Sequence, residues 1–243
     1  MGDRVSKSLI RLDNITKAFH GETVLDGISL SVSAGELVGI IGPNGAGKST
    51  ALRILTGQLL PDSGTVSLGG HDLATAPLAA RQSLGYVPQE PEIEPFLTGR
   101  EVLEFVAEIR DEPSDTVVSR VLEEFGLSSA AHRLTREYSE GMLRRLAIAA
   151  ALIGSPAVLV FDESLNGLDP RGARFVRERM ATEQARGAAI LLTGHVLETL
   201  QRVCTRVVLL HNGKVALEVS REELDAQLAK GQTLEDLYLN ATE

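Results

Sequence analysis

The chain lacks the features that mark disulfide-bonded secreted proteins. Its 243 residues include one cysteine, Cys204, which excludes an internal disulfide and fits a reducing compartment. We expect Cys204 to be a small buried hydrophobic residue on a helix rather than a reactive thiol. A chain of this length can bury enough apolar surface to fold without disulfides or a structural metal.

Long apolar runs are also missing. The longest apolar stretch, residues 147–161, is interrupted by Gly154-Ser155-Pro156 and is too short to span a bilayer. No apolar segment typical of a signal peptide follows Met1. We therefore expect a soluble chain, and a role at a membrane would require another polypeptide to supply the membrane part.

Clusters of basic residues are absent as well. The chain has 24 Lys and Arg residues against 33 Asp and Glu residues, for a formal net charge of -9. A protein that binds nucleic acid through its phosphates usually carries a basic patch. We therefore expect no nucleic-acid partner.

What the chain does contain is an alternation of strand and helix patterns. Residues 28–33 alternate apolar and polar side chains, which predicts a half-buried antiparallel strand. Residues 37–41 are apolar throughout, as in a strand covered on both faces. Similar runs at 158–161, 189–192 and 207–210 are separated by helix-sized intervals. This spacing predicts parallel strands joined by helical crossovers.

Helix and turn signals fill the intervals. Capping-box patterns predict that helices begin after Thr98, Ser220 and Thr233. An apolar stripe over residues 117–125 predicts a further helix, and Asn212-Gly213 predicts a two-residue hairpin. The chain is therefore expected to form one α/β unit with a helical insertion.

One glycine-rich segment matches the phosphate-binding pattern G-x-x-x-x-G-K-[ST] between a predicted strand and a predicted helix. Its backbone N–H groups can wrap an anion at the positive end of the helix. We expect Lys48 to reach the β- and γ-phosphates and the Ser49 hydroxyl to take one Mg²⁺ position. The predicted phosphate-binding residues are Gly42, Pro43, Asn44, Gly45, Ala46, Gly47, Lys48, Ser49 and Thr50.

A second acidic element follows the strand at residues 158–161. Asp162 stands at the carboxyl end of this strand, where open α/β sheets bind ligands, and is expected to hold Mg²⁺ directly or through water. Glu163 is suited to accept a proton from attacking water. A phosphate loop alone leaves kinases, GTPases, helicases and transport ATPases open, although no Asn-Lys-x-Asp guanine reader occurs here.

Taken together and in their order, these motifs resemble the nucleotide-binding subunit of ABC (ATP-binding cassette) transporters, from about Leu9 to Tyr238. The resemblance implies an α/β fold with a P-loop NTPase (RecA-like) core, an N-terminal antiparallel β subdomain and an inserted α-helical subdomain. We expect a single domain over 1–243, with the core at about 9–91 and 157–219. The helical subdomain would span about 92–156, and C-terminal helices would span 220–243.

The segment Tyr138-Ser139-Glu140-Gly141-Met142 falls where this family carries a signature usually written Leu-Ser-Gly-Gly-Gln. The resemblance implies that two subunits pack head to tail and enclose two ATP molecules. Ser139 and the Gly141 N–H would then bind the γ-phosphate held by the partner subunit's Lys48. Serine is also a favoured N-cap, and the two roles are compatible. Because a carboxylate repels phosphate, we predict that the Glu140 side chain points away from the nucleotide.

Further site residues are placed by resemblance. Gln89 matches the glutamine that ligates Mg²⁺ or water and reports nucleotide state to the transmembrane partner. His195 matches the switch histidine that contacts the γ-phosphate and orients the attacking water. Residues 164–170 match the loop along the dimer interface, and Phe19 stands where an aromatic ring stacks on adenine.

Some positions depart from the family pattern. Ser164 replaces a proline after the catalytic glutamate, Gly194 replaces Ser or Thr before the switch histidine, and Tyr138, Glu140 and Met142 replace Leu, Gly and Gln. None of the residue types that contact phosphate or metal is lost. We therefore expect an active ATPase with ATP and Mg²⁺ as cofactors, and with Glu163, His195, Lys48 and Gln89 as catalytic residues.

The expected role is to power a membrane transporter. The signature and the run from Gly194 to Leu200 look like those of ABC-2 type exporters, with an importer as the nearer alternative. A soluble ABC protein of translation or DNA repair is the other alternative, although such proteins usually carry two cassettes. The resemblance implies a second ABC ATPase subunit, in a homo- or heterodimer, and a separate transmembrane permease. It places the chain on the cytoplasmic face of the membrane.

Overall fold

The strand that leads into the phosphate loop is buried along its whole length. This strand, β3 (Leu37–Ile41), points its residues alternately into two hydrophobic cores. Leu37 and Ile41 enter one core, whereas Val38 and Ile40 enter the other. The computed structural model, which describes residues 8–164, 170–194 and 197–242, therefore has β3 in a sheet covered on both faces.

The central sheet has six strands in the described chain. In spatial order it runs β10-β9-β3-β8-β7-β6, and the five strands β9, β3, β8, β7 and β6 are parallel to one another. Strand β10 is antiparallel to β9 across the turn at Asn212-Gly213, which confirms the predicted hairpin. The five further strands are β6 (Leu84–Val87), β7 (Val158–Asp162), β8 (Ala189–Thr193), β9 (Arg206–His211) and β10 (Lys214–Ser220).

A second, antiparallel sheet packs over one face of the central sheet. Apolar residues of both sheets and of helix α1 (Lys48–Leu55) share one hydrophobic core. This sheet has the order β2-β1-β4-β5. Its strands are β1 (Ser8–Phe19), β2 (Glu22–Ser33), β4 (Ser63–Leu68) and β5 (His71–Asp72).

Most other helices of the described chain pack on the opposite face, around the second core. The predicted capping boxes are confirmed at Thr98 and Ser220, and Thr233 exchanges the same pair of hydrogen bonds with Asp236. None of the described helices is long and apolar enough to cross a membrane. They are α2 (Pro77–Gln82), α3 (Gly99–Ile109), α4 (Ser114–Glu124), α5 (Glu140–Leu152), α6 (Pro170–Ala185), α7 (Leu197–Val203), α8 (Arg221–Leu228) and α9 (Leu234–Thr242).

Cys204 is buried, as predicted, although it lies one residue beyond the end of α7 rather than within a helix. Burial raises the pKa of its thiol to about 12. Because the thiolate is the reactive form, this environment makes Cys204 a packing residue.

Candidate functional site

The phosphate loop turns sharply between β3 and α1, and two of its glycines are required by contacts. A Cβ on Gly42 would lie 2.3 Å from the Leu210 carbonyl oxygen, and a Cβ on Gly47 would lie 2.5 Å from a Leu25 methyl group. Gly47 also has a φ of +101°. No side chain in the described chain caps α1 at its N-terminus. The N–H groups of the first turn of α1 can therefore donate to an anion that binds in the loop.

The loop borders a cleft of about 610 Å³. The cleft brings together the phosphate loop, Gln89 from the segment after β6, and Glu163 from the end of β7. These residues are far apart in the chain, so their meeting is a result of the fold. The lining residues are Val24, Gly42, Asn44, Gly45, Ala46, Gly47, Lys48, Ser49, Thr50, Gln89 and Glu163.

The predicted site residues Pro43, Phe19, Asp162, Ser139 and Gly141 are not among those lining residues. Pro43 is part of the loop itself, and its carbonyl oxygen accepts a hydrogen bond from the Lys48 ammonium.

The Lys48 ammonium is folded back onto its own loop. Its Nζ donates to the carbonyl oxygens of Gly42, at 2.6 Å, and Pro43, at 3.1 Å. Burial lowers the pKa of Lys48, and the nearby carboxylates of Glu163 and Asp162 oppose that effect. The ammonium is therefore held beside the cleft by groups that a phosphate can replace.

Asp162 ends β7 and is fixed by the two strands beside it. The Thr193 hydroxyl, at the end of β8, donates to Asp162 Oδ1 over 2.6 Å. The Tyr86 phenol of β6 is close enough to this carboxylate to lower its pKa. Burial raises the pKa of Asp162, and the bond from Thr193 partly opposes the rise. Sequence reasoning missed Thr193 and Tyr86. Only the strand order β8-β7-β6 shows that they flank Asp162.

Glu163 has a backbone conformation that is rare for a residue with a side chain. Its φ is +45°, and its N–H donates to the Thr193 hydroxyl at 3.0 Å and to the Thr193 carbonyl at 3.2 Å. Its Oε2 accepts from Gln89 Nε2 over 3.5 Å. Left-handed, non-glycine backbone is strained and concentrates at functional sites. Here it turns a carboxylate from the strand end into the cleft.

Two predicted elements fall outside the described residues. They are His195 and most of the predicted interface loop, residues 165–169. Gly194 is described and follows β8 directly after Thr193. Ser164 is completely buried, and its hydroxyl has no hydrogen-bond partner in the described part of the chain.

Phe19 lies at the end of β1, and the residue is 39% exposed. The Lys17 ammonium lies 5.6 Å from the ring centroid and also pairs with Asp62 at 2.7 Å. One face of the ring thus carries a cation. The side chain that does line the cleft from this sheet is Val24, which sequence reasoning did not single out.

The signature segment begins helix α5, away from the cleft of its own chain. Ser139 is the N-cap, and its hydroxyl accepts from the Met142 N–H at 3.3 Å. Around Gly141 the space is open, since an added Cβ would meet no atom within 4 Å. The Glu140 carboxylate pairs with Arg144, with Oε1 3.2 Å from Nη2.

The donor set suits magnesium better than a transition metal. Ser49, Gln89 and Asp162 supply hydroxyl, amide and carboxylate oxygens, which hard cations prefer. No group of three or more His, Cys, Asp or Glu side chains that could hold a metal occurs in the described residues. Mg²⁺ commonly uses one or two carboxylates together with substrate phosphates, so the residues present fit this ion.

Residues 25–166 match the protein family described as ABC transporter. The chain is 37% identical over 242 residues to ATP-binding cassette sub-family A member 7 of Rattus norvegicus. The aligned region covers 96% of this chain and 11% of the length of that protein. It is 38% identical over 215 residues to the Nod factor export ATP-binding protein I of Paraburkholderia xenovorans (strain LB400), over 87% of this chain and 71% of that protein.

A solved structure described as the ATP-binding subunit of an ABC transporter is 32% identical, with a TM-score of 0.90 over 97% of this chain and 100% of that chain. The fold and the site thus define a P-loop ATPase. The chain belongs to the ABC transporter family, as an ATP-binding, ATP-hydrolysing domain.

Asp162 is expected to lower the stability of the nucleotide-free protein at neutral pH. Its folded-state pKa lies above the ordinary value, so the folded state binds a proton more tightly and stability falls as pH rises through these values. We therefore expect Asp162→Asn to raise the Tm at pH 7 by a few degrees, a gain that shrinks toward pH 4. In a domain of this size, each kcal/mol shifts the Tm by about 2–4 °C.

Thermal unfolding of both variants is measured in EDTA, and Asp72 supplies the control. Its pKa is shifted in the opposite direction to that of Asp162, so its replacement should change the Tm in the opposite direction. Hydrogen bonds from Thr75 and Ala74 lower the pKa of Asp72, so its ionised form stabilises the fold above the ordinary pKa. Asp72→Asn should therefore lower the Tm at pH 7. An equal decrease for both variants would contradict the electrostatic account of Asp162.

Proposed function

We propose that this chain hydrolyses ATP in a site shared with a second ABC subunit, and that it powers a membrane exporter through a separate permease. The observation that carries the proposal is the cleft in which the phosphate loop, Gln89 and Glu163 meet. An anion-binding loop, a metal-ligand amide and a carboxylate base are the parts that hydrolysis of a nucleoside triphosphate requires.

In the proposed reaction, water attacks the γ-phosphorus of ATP and Glu163 accepts a proton from the water. The bond from the γ-phosphorus to the bridging β-phosphate oxygen breaks, and ADP and inorganic phosphate are released. The fold supports this role because Glu163 projects into the cleft from a backbone fixed by Thr193. Lys48 would exchange its loop carbonyls for phosphate oxygens and stabilise the charge that develops on them. His195 is proposed to contact the γ-phosphate and orient the water.

Ser49, Gln89 and Asp162 are the residues proposed to hold Mg²⁺. When bound, Mg²⁺ would neutralise charge on the β- and γ-phosphates. Thr193 and Tyr86 then have a positioning role, because they orient the Asp162 carboxylate. Phe19 is proposed to stack on adenine with the ring face that Lys17 leaves open.

A second ABC subunit is proposed because the signature does not reach the cleft of its own chain. Ser139 and Gly141 lie outside that cleft's lining, at a helix start with space around it. Packed head to tail, each chain would offer these groups to the γ-phosphate bound by its partner. The phosphate loop and the signature are both present here, which permits a homodimer as well as a heterodimer.

A groove of about 250 Å³ beside the Gln89 segment is proposed to bind the permease. Its walls come from residues 86–93, α3 and α5, within the proposed helical subdomain at about 92–156 and its border with the core. Phe105 and Ile109 of α3 are not part of the groove's lining, but each adjoins in sequence a residue that lines it, Val106 or Arg110. Phe105 is 61% and Ile109 57% exposed, so the proposed docking surface comprises the groove together with these two side chains. Because residues on both sides of Gln89 line this groove, a nucleotide-dependent movement of Gln89 would change the shape of the groove.

Export is proposed over import because one relative is a Nod factor export ATP-binding protein that matches 87% of this chain. The chain's site would then lie on the cytoplasmic face of the membrane, held there by the permease. The substrate is chosen by the permease, so the chemistry of this chain does not specify it.

The permease interaction can be tested by membrane fractionation. With a permease co-expressed from the neighbouring gene, we expect the chain to sediment with membranes. Phe105→Asp with Ile109→Asp should reduce the membrane-bound fraction about tenfold, because both changes place charge on the apolar surface. Leu78→Asp, at a 71% exposed leucine of α2, is the matched control. If the double variant and the Leu78→Asp control stay in the membrane fraction to the same extent, the proposed docking surface is wrong.

A further inference from the structure

The signature segment carries a negative charge at the point where it is proposed to bind phosphate. Glu140 lies between Ser139 and Gly141, the two residues that we propose meet the γ-phosphate on the partner chain. A free carboxylate at this position would repel that phosphate. A group that neutralises Glu140 would therefore be required for the signature to work.

Arg144 lies one turn along α5 and contacts this carboxylate. Its Nη2 lies 3.2 Å from Glu140 Oε1. The two side chains differ in burial, since that of Arg144 is 9% exposed and that of Glu140 is 80% exposed. The Arg144 Nε and Nη1 are buried and have no hydrogen-bond partner in the described part of the chain. A buried cation with so few partners depends on its counter-charge.

The same guanidinium touches the segment that lines the chain's own cleft. Arg144 Nη2 lies 3.5 Å from the carbonyl oxygen of Gln89, whose side chain in turn contacts Glu163. Arg144 therefore lies between the signature and the Gln89 segment. The packing of α5 against β6 keeps these two elements together.

We propose that Arg144 is a positioning residue for ATP hydrolysis, which neutralises Glu140 and draws its carboxylate back along α5. Ser139 and the Gly141 N–H are then left to meet the γ-phosphate of the partner subunit's ATP. The inference rests on the proposed function, because it concerns the same shared site. It makes Arg144 necessary for turnover only while residue 140 carries a negative charge.

A double-mutant cycle tests the pair by steady-state phosphate release with Mg²⁺ and ATP. Arg144→Met should lower kcat/KM about tenfold in the otherwise native chain. In a chain that also carries Glu140→Gln, the same change should cost less than about twofold, because no carboxylate is released toward the phosphate. A purely structural role of Arg144 would cost the same factor in both chains.

Two further variants sharpen the cycle. Arg144→Lys keeps a cation beside Glu140 and should retain at least about half of the native kcat/KM. Arg174→Met removes an exposed Arg–Glu pair with Glu178 on α6 and should have no effect. If thermal unfolding shows that Arg144→Met does not fold, Arg144→Gln takes its place. Equal losses in the two chains, or a lysine variant as impaired as the methionine variant, would overturn the proposal.

Association provides a readout that does not depend on turnover. In a Glu163→Gln chain, ATP-driven dimerisation measured by sedimentation velocity should weaken with Arg144→Met only while Glu140 is present. A native chain that neither hydrolyses ATP nor dimerises would contradict the proposed function. A native chain that does both, with equal effects of Arg144→Met in the two chains, would contradict this inference alone.

Discussion

Replacing Glu163 by glutamine is expected to lower the kcat for ATP hydrolysis about a thousandfold, within the range observed for loss of a general base. The variant keeps the size of the side chain and its place in the cleft, yet it cannot accept the proton of the attacking water. The strained backbone at φ +45° and the two hydrogen bonds to Thr193 should be preserved, because they involve main-chain atoms of residue 163.

Affinity for ATP should remain within about threefold of the native value, since Lys48 and the phosphate loop are untouched. Glu90→Gln is the matched control. It removes an exposed carboxylate next to Gln89 and should change kcat by less than about twofold. Steady-state phosphate release and equilibrium binding of a fluorescent ATP analogue measure the two quantities. An unchanged kcat in Glu163→Gln would remove the proposed base from the mechanism.

Gly141→Glu is expected to lower turnover about a hundredfold without weakening ATP binding to the same chain. An added Cβ at Gly141 meets no atom within 4 Å, so the side chain is accommodated. Its carboxylate would stand at the amide that we propose binds the partner's γ-phosphate, and the repulsion opposes closure of the shared site. The phosphate loop of the altered chain keeps all of its contacts.

Gly141→Gln separates charge from size in this test. The glutamine side chain is as large as that of glutamate and uncharged, so its loss of turnover should be several-fold smaller. Both variants should keep the native Tm within a few degrees. Equal losses for the two variants would show that bulk rather than charge disturbs the signature.

Contiguous motifs were the part of the site that the sequence could predict. Residues 42–50 are adjacent in the chain and have a fixed pattern, and their strand–loop–helix setting is confirmed by β3 and α1. The parallel order was also predictable, because each apolar run is separated from the next by a helix-sized interval. The helix starts at Thr98 and Ser220 were predictable because a capping box involves residues only three positions apart in the chain.

The contacts between strands and segments could not be predicted in the same way. Thr193 and Tyr86 act on Asp162 only because β8 and β6 flank β7, and strand order is not encoded in local spacing. Arg144 reaches the Gln89 carbonyl across a sequence separation of 55 residues. Strand β1 escaped prediction because its pairing with β2 contains register shifts that break the simple alternation.

The shared site is tested most directly by mixing two inactive variants. Lys48→Ala removes the phosphate clamp but leaves the signature intact, whereas Gly141→Glu blocks the signature but leaves the clamp intact. In a one-to-one mixture, half of the dimers would contain one complete site, so ATP turnover should rise toward about a quarter of the native rate. A mixture that hydrolyses ATP only at the mean of the two separate rates would contradict a site built from two chains.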